Sequence, residues 1–205
     1  MTMAMAKNSK DEIIHVAIDL FSSRGFKGTS IRDIASAANT SLPNIYYYFG
    51  NKEGLLLAIL ERSSRDVLDQ LNEVCQLADL DPMERFKRLI ETHLSIAGNN
   101  IKESKIFFLD REVLSEEGNK VNIRIQREIL GIYLDQLRLL KRKHLISYKG
   151  LTLLAFNILA LVNWFLRWYR AEGPMSLEEI SEEIITFAFF GLIGPANREE
   201  GLIQS

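Results

Sequence analysis

The chain has 205 residues, 47% of them hydrophobic and 25% charged, a mixture that excludes a disordered polymer and is long enough for a small domain joined to a larger one. A single cysteine, Cys75, excludes an internal disulfide framework, and the opening MTMAMAKNSK lacks the apolar core of a secretory leader. The formal net charge is −2, with six basic against five acidic side chains in residues 1–60, so charge alone does not mark a nucleic-acid binder and a motif must do so.

Ser9 followed by Glu12 is a capping-box pattern that predicts a helix start. Ile13, Ile14, Ala17, Leu20 and Phe21 then recur on one apolar face, and Gly25 ends the helix. Thr29 or Ser30 is placed to cap a short second helix that turns Ile31, Ile34 and Ala35 inward. Asn39-Thr40-Ser41 reads as a turn, and Pro43 suits the first turn of a third helix reaching about Phe49. Asn51 caps a fourth helix that carries Leu55, Leu56 and Ile59 and is expected to continue to about Leu80.

Asp81-Pro82-x-Glu84 starts a fifth helix with Phe86, Leu89, Ile90, His93 and Leu94 on its buried face, ended by Gly98-Asn99-Asn100. A sixth helix is expected from about Ile101 to Leu114, with Glu117-Gly118-Asn119 as a break. A long amphipathic helix then begins near Lys120, presents Val121, Ile125, Ile129, Ile132 and Leu137, and ends in Lys141-Arg142-Lys143, cations that suit a helix C-terminus. The apolar run Gly150 to Leu166 falls short of the roughly 20 residues a bilayer requires and carries Asn157 and Asn163, so it reads as a buried helix spanning about Lys149 to Arg170. Ser176-x-x-Glu179 opens the last helix, which reaches Gly191 or Gly194. Strand-like alternation is scarce, and the fold class is all-α with about nine helices.

The informative stretch is Gly25 to Leu56. Two short helices, Ser30 to Ala38 and Leu42 to Phe49, are joined by a three-residue turn, the spacing of a helix-turn-helix, and small residues at Ala35 and Ala38 let them approach closely. The second of them carries Tyr46, Tyr47 and Tyr48, more polar-edged aromatics than a core helix uses. Tyrosine hydroxyls and the Lys52 ammonium suit phosphate oxygens, which fix register, whereas Arg32 and Asn44 suit base edges. The bland alternatives are one packed ring with two incidental surface rings, or a helix-turn-helix used as a protein-interaction module.

Phe21, Gly25 and Phe26 in the first helix, the run Thr29 to Ala35, and Tyr46-Tyr47-Tyr48-Phe49 followed by Lys52 and Leu55 resemble the TetR (tetracycline-repressor-like) transcriptional regulators over about residues 10–60. That family commonly has His where Tyr48 stands, a small turn residue and Val where Asn39 and Thr40 stand, and a polar or basic residue in place of Leu42. The resemblance implies a DNA-binding domain over residues 1–55, contacting DNA through Thr29, Ser30, Arg32, Leu42, Pro43, Asn44, Tyr46, Tyr47, Tyr48 and Lys52. It implies a ligand-binding and dimerisation domain over residues 56–205.

Within that second part, Asn163-Trp164, Trp168-Tyr169-Arg170, Gly173-Pro174 and Leu177 to Ile180 are similar to members that respond to fatty-acyl or other acyl-CoA ligands. Phe107, Phe108, Tyr133, Trp164, Trp168 and Arg170 are the candidate ligand contacts, although the aromatics could equally fill the core or a dimer interface. His15, His93 and His144 lack metal-ligand spacing; His93 reads as a satisfied core or pocket histidine and Cys75 as an inert thiol. There is no Gly-rich phosphate loop, no Ser/His/Asp arrangement with a recognisable elbow and no di-iron carboxylate–histidine motif, so no enzyme, metal or cofactor is expected.

The expectation is a cytoplasmic homodimer that binds double-stranded, near-palindromic operator DNA and has no place in a membrane; the family resemblance implies that its last two helices join the subunits as a four-helix bundle. The expected regulator is a repressor released by a small, mostly hydrophobic effector, with a fatty-acyl-CoA as first choice and a multidrug-sensing repressor of the same fold as alternative. A helical enzyme or an interaction module is the reading of a different class.

Overall fold

The computed structural model describes residues 2–107 and 114–193, and among them every regular element is an α-helix. In chain order these are α1 (Thr2–Arg24), α2 (Ile31–Ala37), α3 (Leu42–Phe49), α4 (Lys52–Cys75), α5 (Pro82–Asn99), α6 (Ile101–Phe107), α7 (Glu116–Arg142), α8 (Leu151–Trp168) and α9 (Leu177–Ile193). The chain divides into two compact units, Met1–Asp66 with Asn100–Ile125, and Val67–Asn99 with Gln126–Ser205.

The first unit is built on α1 to α3. Ile13, Ile14, Ala17, Ile18 and Phe21 of α1 are buried against Ile34, Ala35 and Ala38, Ile45 and Phe49, and Leu55, Leu56 and Ile59. The spacing of these residues at three and four positions is what makes each helix one-sided. Ser30 caps α2 in a full capping box with Asp33, and Ser41 caps α3 with Pro43 in the first turn. Asn51 caps α4 through Oδ1, which accepts the Gly54 N–H at 2.8 Å. The two sharp exits fall at Gly25 (φ 74°) and Gly50 (φ 73°), where the left-handed backbone favours glycine, and the turn between α2 and α3 places Asn39 at φ 47°. Lys102 of α6 reaches Asp19 of α1 at 2.6 Å, and Ile106 of α6 joins the same core.

The second unit packs α5 against α8 and α9, and α8 against α9. Its interior holds Phe86, Leu89, Ile90 and Leu94 from α5, Tyr133, Leu137 and Leu140 from α7, Ala155, Ile158, Val162 and Phe165 from α8, and Ile185, Ala188 and Leu192 from α9. Gly98 marks the closest approach of α5 to α9, since a Cβ there would lie 2.5 Å from Leu177 Cδ1. Ser176 and Glu179 form the capping box expected at the start of α9.

Four expectations are corrected. Ser9 does not start α1, because the helix already runs from Thr2. The fourth helix stops at Cys75, short of Leu80; the Arg85 guanidinium donates to the Leu77 carbonyl at 3.1 Å and holds the turn that follows. Gly118 is no break: α7 begins at Glu116 and runs through it. A Cβ at that position would lie 2.6 Å from Glu53 Oε1, so the glycine serves a close approach. The apolar α8 is long and apolar enough to cross a membrane, and it is not buried all round as expected: its inner face packs in the unit, while Leu153, Phe156, Trp164 and Trp168 remain exposed.

Candidate functional site

The outward face of the helix-turn-helix is set by what its inner face must bury. Ile45 and Phe49 anchor α3 in the core, and the helical period then turns Tyr46 (50% exposed) and Tyr47 (82% exposed) to solvent. A ring as large as Tyr47 left that open has no folding reason to be there, and its hydroxyl stands at the tip of an apolar lever. Tyr48 is half-buried, edge-on to Tyr47 with ring centroids 5.2 Å apart. Arg32 and Pro43 are exposed, Leu42 is half-buried, and Asn44 donates through Nδ2 to Thr40 Oγ1 at 2.9 Å, which orients its amide.

Three residues expected on the DNA face are employed inside the scaffold. Thr29 is 1% exposed, and its hydroxyl approaches the Gly25 carbonyl at 2.9 Å and the Leu20 carbonyl at 3.2 Å, so its side chain cannot reach a phosphate. The Ser30 hydroxyl accepts from the Asp33 N–H and donates to Asp33 Oδ2 at 2.6 Å, which is its capping role. The Ser30 hydroxyl first, and then the Ser30 backbone N–H, which donates to the same carboxylate oxygen at 2.8 Å, hold the Asp33 carboxyl below its ordinary pKa. Lys52 donates to the Phe26 carbonyl at 2.8 Å and the Thr29 carbonyl at 2.9 Å, with its nitrogen 4.1 Å from the Phe26 ring centroid. Two of its three N–H groups are thus spent on the loop between α1 and α2, and partial desolvation moves its pKa down.

Among the described residues of the second unit, His93 and Tyr133 form a buried polar pair. His93 Nδ1 lies 3.0 Å from the Tyr133 hydroxyl, with the direction of donation set by the histidine tautomer. Phe86 meets Tyr133 edge-on and Phe189 at a tilt, which completes an aromatic interior. Burial pushes the His93 pKa down to about 4 and the Tyr133 pKa far up, so the pair is neutral at physiological pH. Trp164 and Trp168, candidates for a ligand contact or equally for the core or a dimer interface, stand on the exposed face of α8, one of them 66% open. Arg167 and Arg170 are exposed near the end of that helix. The Phe107 side chain and Phe108 lie outside the described residues. Sequence reading passed over Leu153 and Phe156, whose spacing of three on one side of α8 was the available signal. It also passed over Glu53, whose role has no local pattern. Among the described residues no cluster of three or more His, Cys, Asp or Glu could hold a metal ion.

Comparison with known proteins agrees with this architecture. A family model for bacterial regulatory proteins of the tetR family matches residues 13–59, and a tetracyclin repressor-like C-terminal domain matches residues 79–192. The transcriptional repressor KstR2 of Rhodococcus jostii (strain RHA1) is 24% identical over 192 residues, covering 92% of this chain and 93% of its own. The transcriptional regulator RutR of Escherichia coli (strain K12) is 32% identical over 101 residues, 49% of this chain and 47% of its own. In fold, the chain is similar to the TetR-family regulator PfmR from Thermus thermophilus (TM-score 0.79, 24% identity, 89% of this chain and 98% of that one). It is equally similar to AibR, solved with isovaleryl coenzyme A and operator DNA (TM-score 0.79, 24% identity, 87% of this chain and 97% of that one). With its two halves matched by the N-terminal and C-terminal models, the chain belongs to the TetR family of bacterial transcription regulators, and its work is DNA binding and regulation, not catalysis.

Proposed function

We propose that this protein is a cytoplasmic, homodimeric repressor whose α3 enters the major groove of a near-palindromic operator. Residues 1–55 carry the DNA contacts, and the rest of the chain senses and dimerises. The exposed Tyr46 and Tyr47 rings on the outward face of a core-anchored helix carry this reading. In it Tyr46 and Tyr47 meet phosphates, Pro43, Leu42 and Tyr48 pack along the groove wall, and Arg32 and Asn44 read bases. A two-fold dimer sets half-sites about one helical turn, roughly 34 Å, apart.

The exposed apolar face of α8 and α9 supports the dimer. Leu153, Phe156, Trp164, Phe187 and Phe190 leave more apolar surface open than a lone soluble subunit retains. Phe189 turns inward to Phe86 and is no part of that face. The same surface accounts for Trp164 and Trp168 better than a ligand cavity does.

The effector is a mostly apolar molecule held in the second unit, with a fatty-acyl-CoA as first choice. An aromatic interior with the neutral His93–Tyr133 pair suits an acyl chain with one polar group, and Arg167 and Arg170 are open cations for phosphates. The AibR structure contains a short-chain acyl-CoA. A multidrug sensor is the rival, since the same interior accepts any apolar molecule. Titrating acyl-CoAs into the operator complex separates the two: release that Arg170→Ala weakens for CoA esters but not for neutral hydrophobes supports the first. No release well above micromolar concentration leaves only the general sensor.

A further inference from the structure

Two neighbouring side chains in the first turn of α4 bond to different parts of the first unit. Lys52 holds the Phe26 and Thr29 carbonyls of the loop that delivers the chain into α2. Glu53 Oε1 accepts the Ser115 backbone N–H at 2.7 Å, directly ahead of α7. Ser115 also caps α7, its hydroxyl accepting the Gly118 N–H at 3.2 Å and its carbonyl the Asn119 N–H at 2.9 Å. The Glu53 carboxylate therefore sits at the positive end of a 27-residue helix. Gly118 leaves the space for it: a Cβ there would lie 2.6 Å from Glu53 Oε1.

We propose that Glu53 is a positioning residue for operator binding, latching the start of α4, and through Lys52 the entry to α2, to the first turn of α7. The bond is charge-assisted and its donor is a backbone group, so it fixes a position rather than only a stickiness. Gly118 is explained by the same contact, since inside a helix alanine would otherwise be the better residue. A shift of the α7 turn would be passed to the DNA-reading loop by this route, because α4 starts immediately after α3.

The inference rests on the DNA-binding reading, and the test separates the two. Operator duplex selected from random sequence would be titrated with the full-length protein, and amide exchange followed at Ser115 and Gly118. Glu53→Ala should lower operator affinity about tenfold with an unchanged salt slope, since no phosphate contact is lost, and should speed exchange at Ser115. Glu53→Gln keeps the acceptor and should recover most of both. Gly118→Ala touches neither DNA nor the α4 backbone, and improves helix propensity, yet should reproduce Glu53→Ala by displacing the carboxylate. Combining it with Glu53→Ala should add nothing further. Wild-type affinity and exchange in Gly118→Ala, or a Glu53→Gln loss as large as that of Glu53→Ala, would overturn the latch. If the unmodified protein selects no duplex, the DNA-binding reading fails, while exchange at Ser115 still decides the latch.

Discussion

The two compact units are built from the same kind of helix, yet they bind their residues to their positions differently. In the first, the starts of α2, α3 and α4 are each specified by a side chain within three positions: Ser30 with Asp33, Ser41 with Asn44, Asn51 with Gly54. In the second, Asp81 and Ser176 cap α5 and α9 in the same way, but the helices are placed by which apolar faces meet, as at Gly98 on Leu177 or Phe86 between Tyr133 and Phe189. A DNA-reading unit must hold a few groups in fixed geometry against a rigid partner, and local caps do that. In the proposed division of labour the second unit closes around an effector, and non-directional packing tolerates such change.

The sharpest way to break this comparison is at the exposed face of the second unit. Phe187 is 68% exposed, and Phe187→Glu would bury two unpaired carboxylates in a two-fold interface, at a cost of about 3–5 kcal/mol each. Sedimentation should show a monomer with unchanged helix content. Next in size is the core under the reading helix. Ile45 is fully buried, so Ile45→Ala should cost about 2–5 kcal/mol in denaturant unfolding and abolish DNA binding with it.

The buried His93 gives a pH signature that belongs to the second unit alone. Its folded pKa of about 4 lies below the ordinary 6.5, so the unfolded chain takes up a proton first as pH falls. The stability from keeping it neutral is present in full above pH 6.5 and is lost progressively down to pH 4, by about 3 kcal/mol. His93→Gln, which can still bond to Tyr133, should flatten that limb in urea titrations at pH 7, 5.5 and 4.5. An unchanged limb would assign the acid sensitivity elsewhere. The smallest effect expected is at the exposed rings of α3, the proposed phosphate contacts. Tyr46→Ala should lower affinity for all duplexes by about 1 kcal/mol, as for a typical lost hydrogen bond, without changing sequence preference. Lys52→Met should also weaken binding, but with a salt slope altered by less than the one unit expected of a pure phosphate contact, because two of its N–H groups serve Phe26 and Thr29.

The same contrast decides what was legible in the sequence. Ser30, Pro43, Asn51 and Ser176 announce their helices because a cap acts on the nearest backbone, and those starts agree with the structure, whereas Ser41, read only as part of a turn, proves to cap α3. Gly118 misled because glycine marks either a break or a close approach, and only the distant Glu53 tells which. Thr29 misled likewise: a hydroxyl beside the reading helix looks available until the Leu20 and Gly25 carbonyls claim it. Trp164 and Trp168 were visible as large and apolar, but the side of α8 that faces inward is settled by α5 and α9, which lie far away in sequence.

The central claim is that α3 of a two-chain assembly reads duplex DNA, and the most direct measurement is selection from random duplexes followed by binding stoichiometry on the winners. The expected result is a near-palindromic sequence with half-sites about one helical turn apart, two chains bound per duplex, and lost affinity in Tyr46→Ala and Arg32→Ala, with relaxed sequence preference only in the arginine variant. Enrichment of no sequence, or of an asymmetric site bound by one chain with full affinity in both variants, would contradict it.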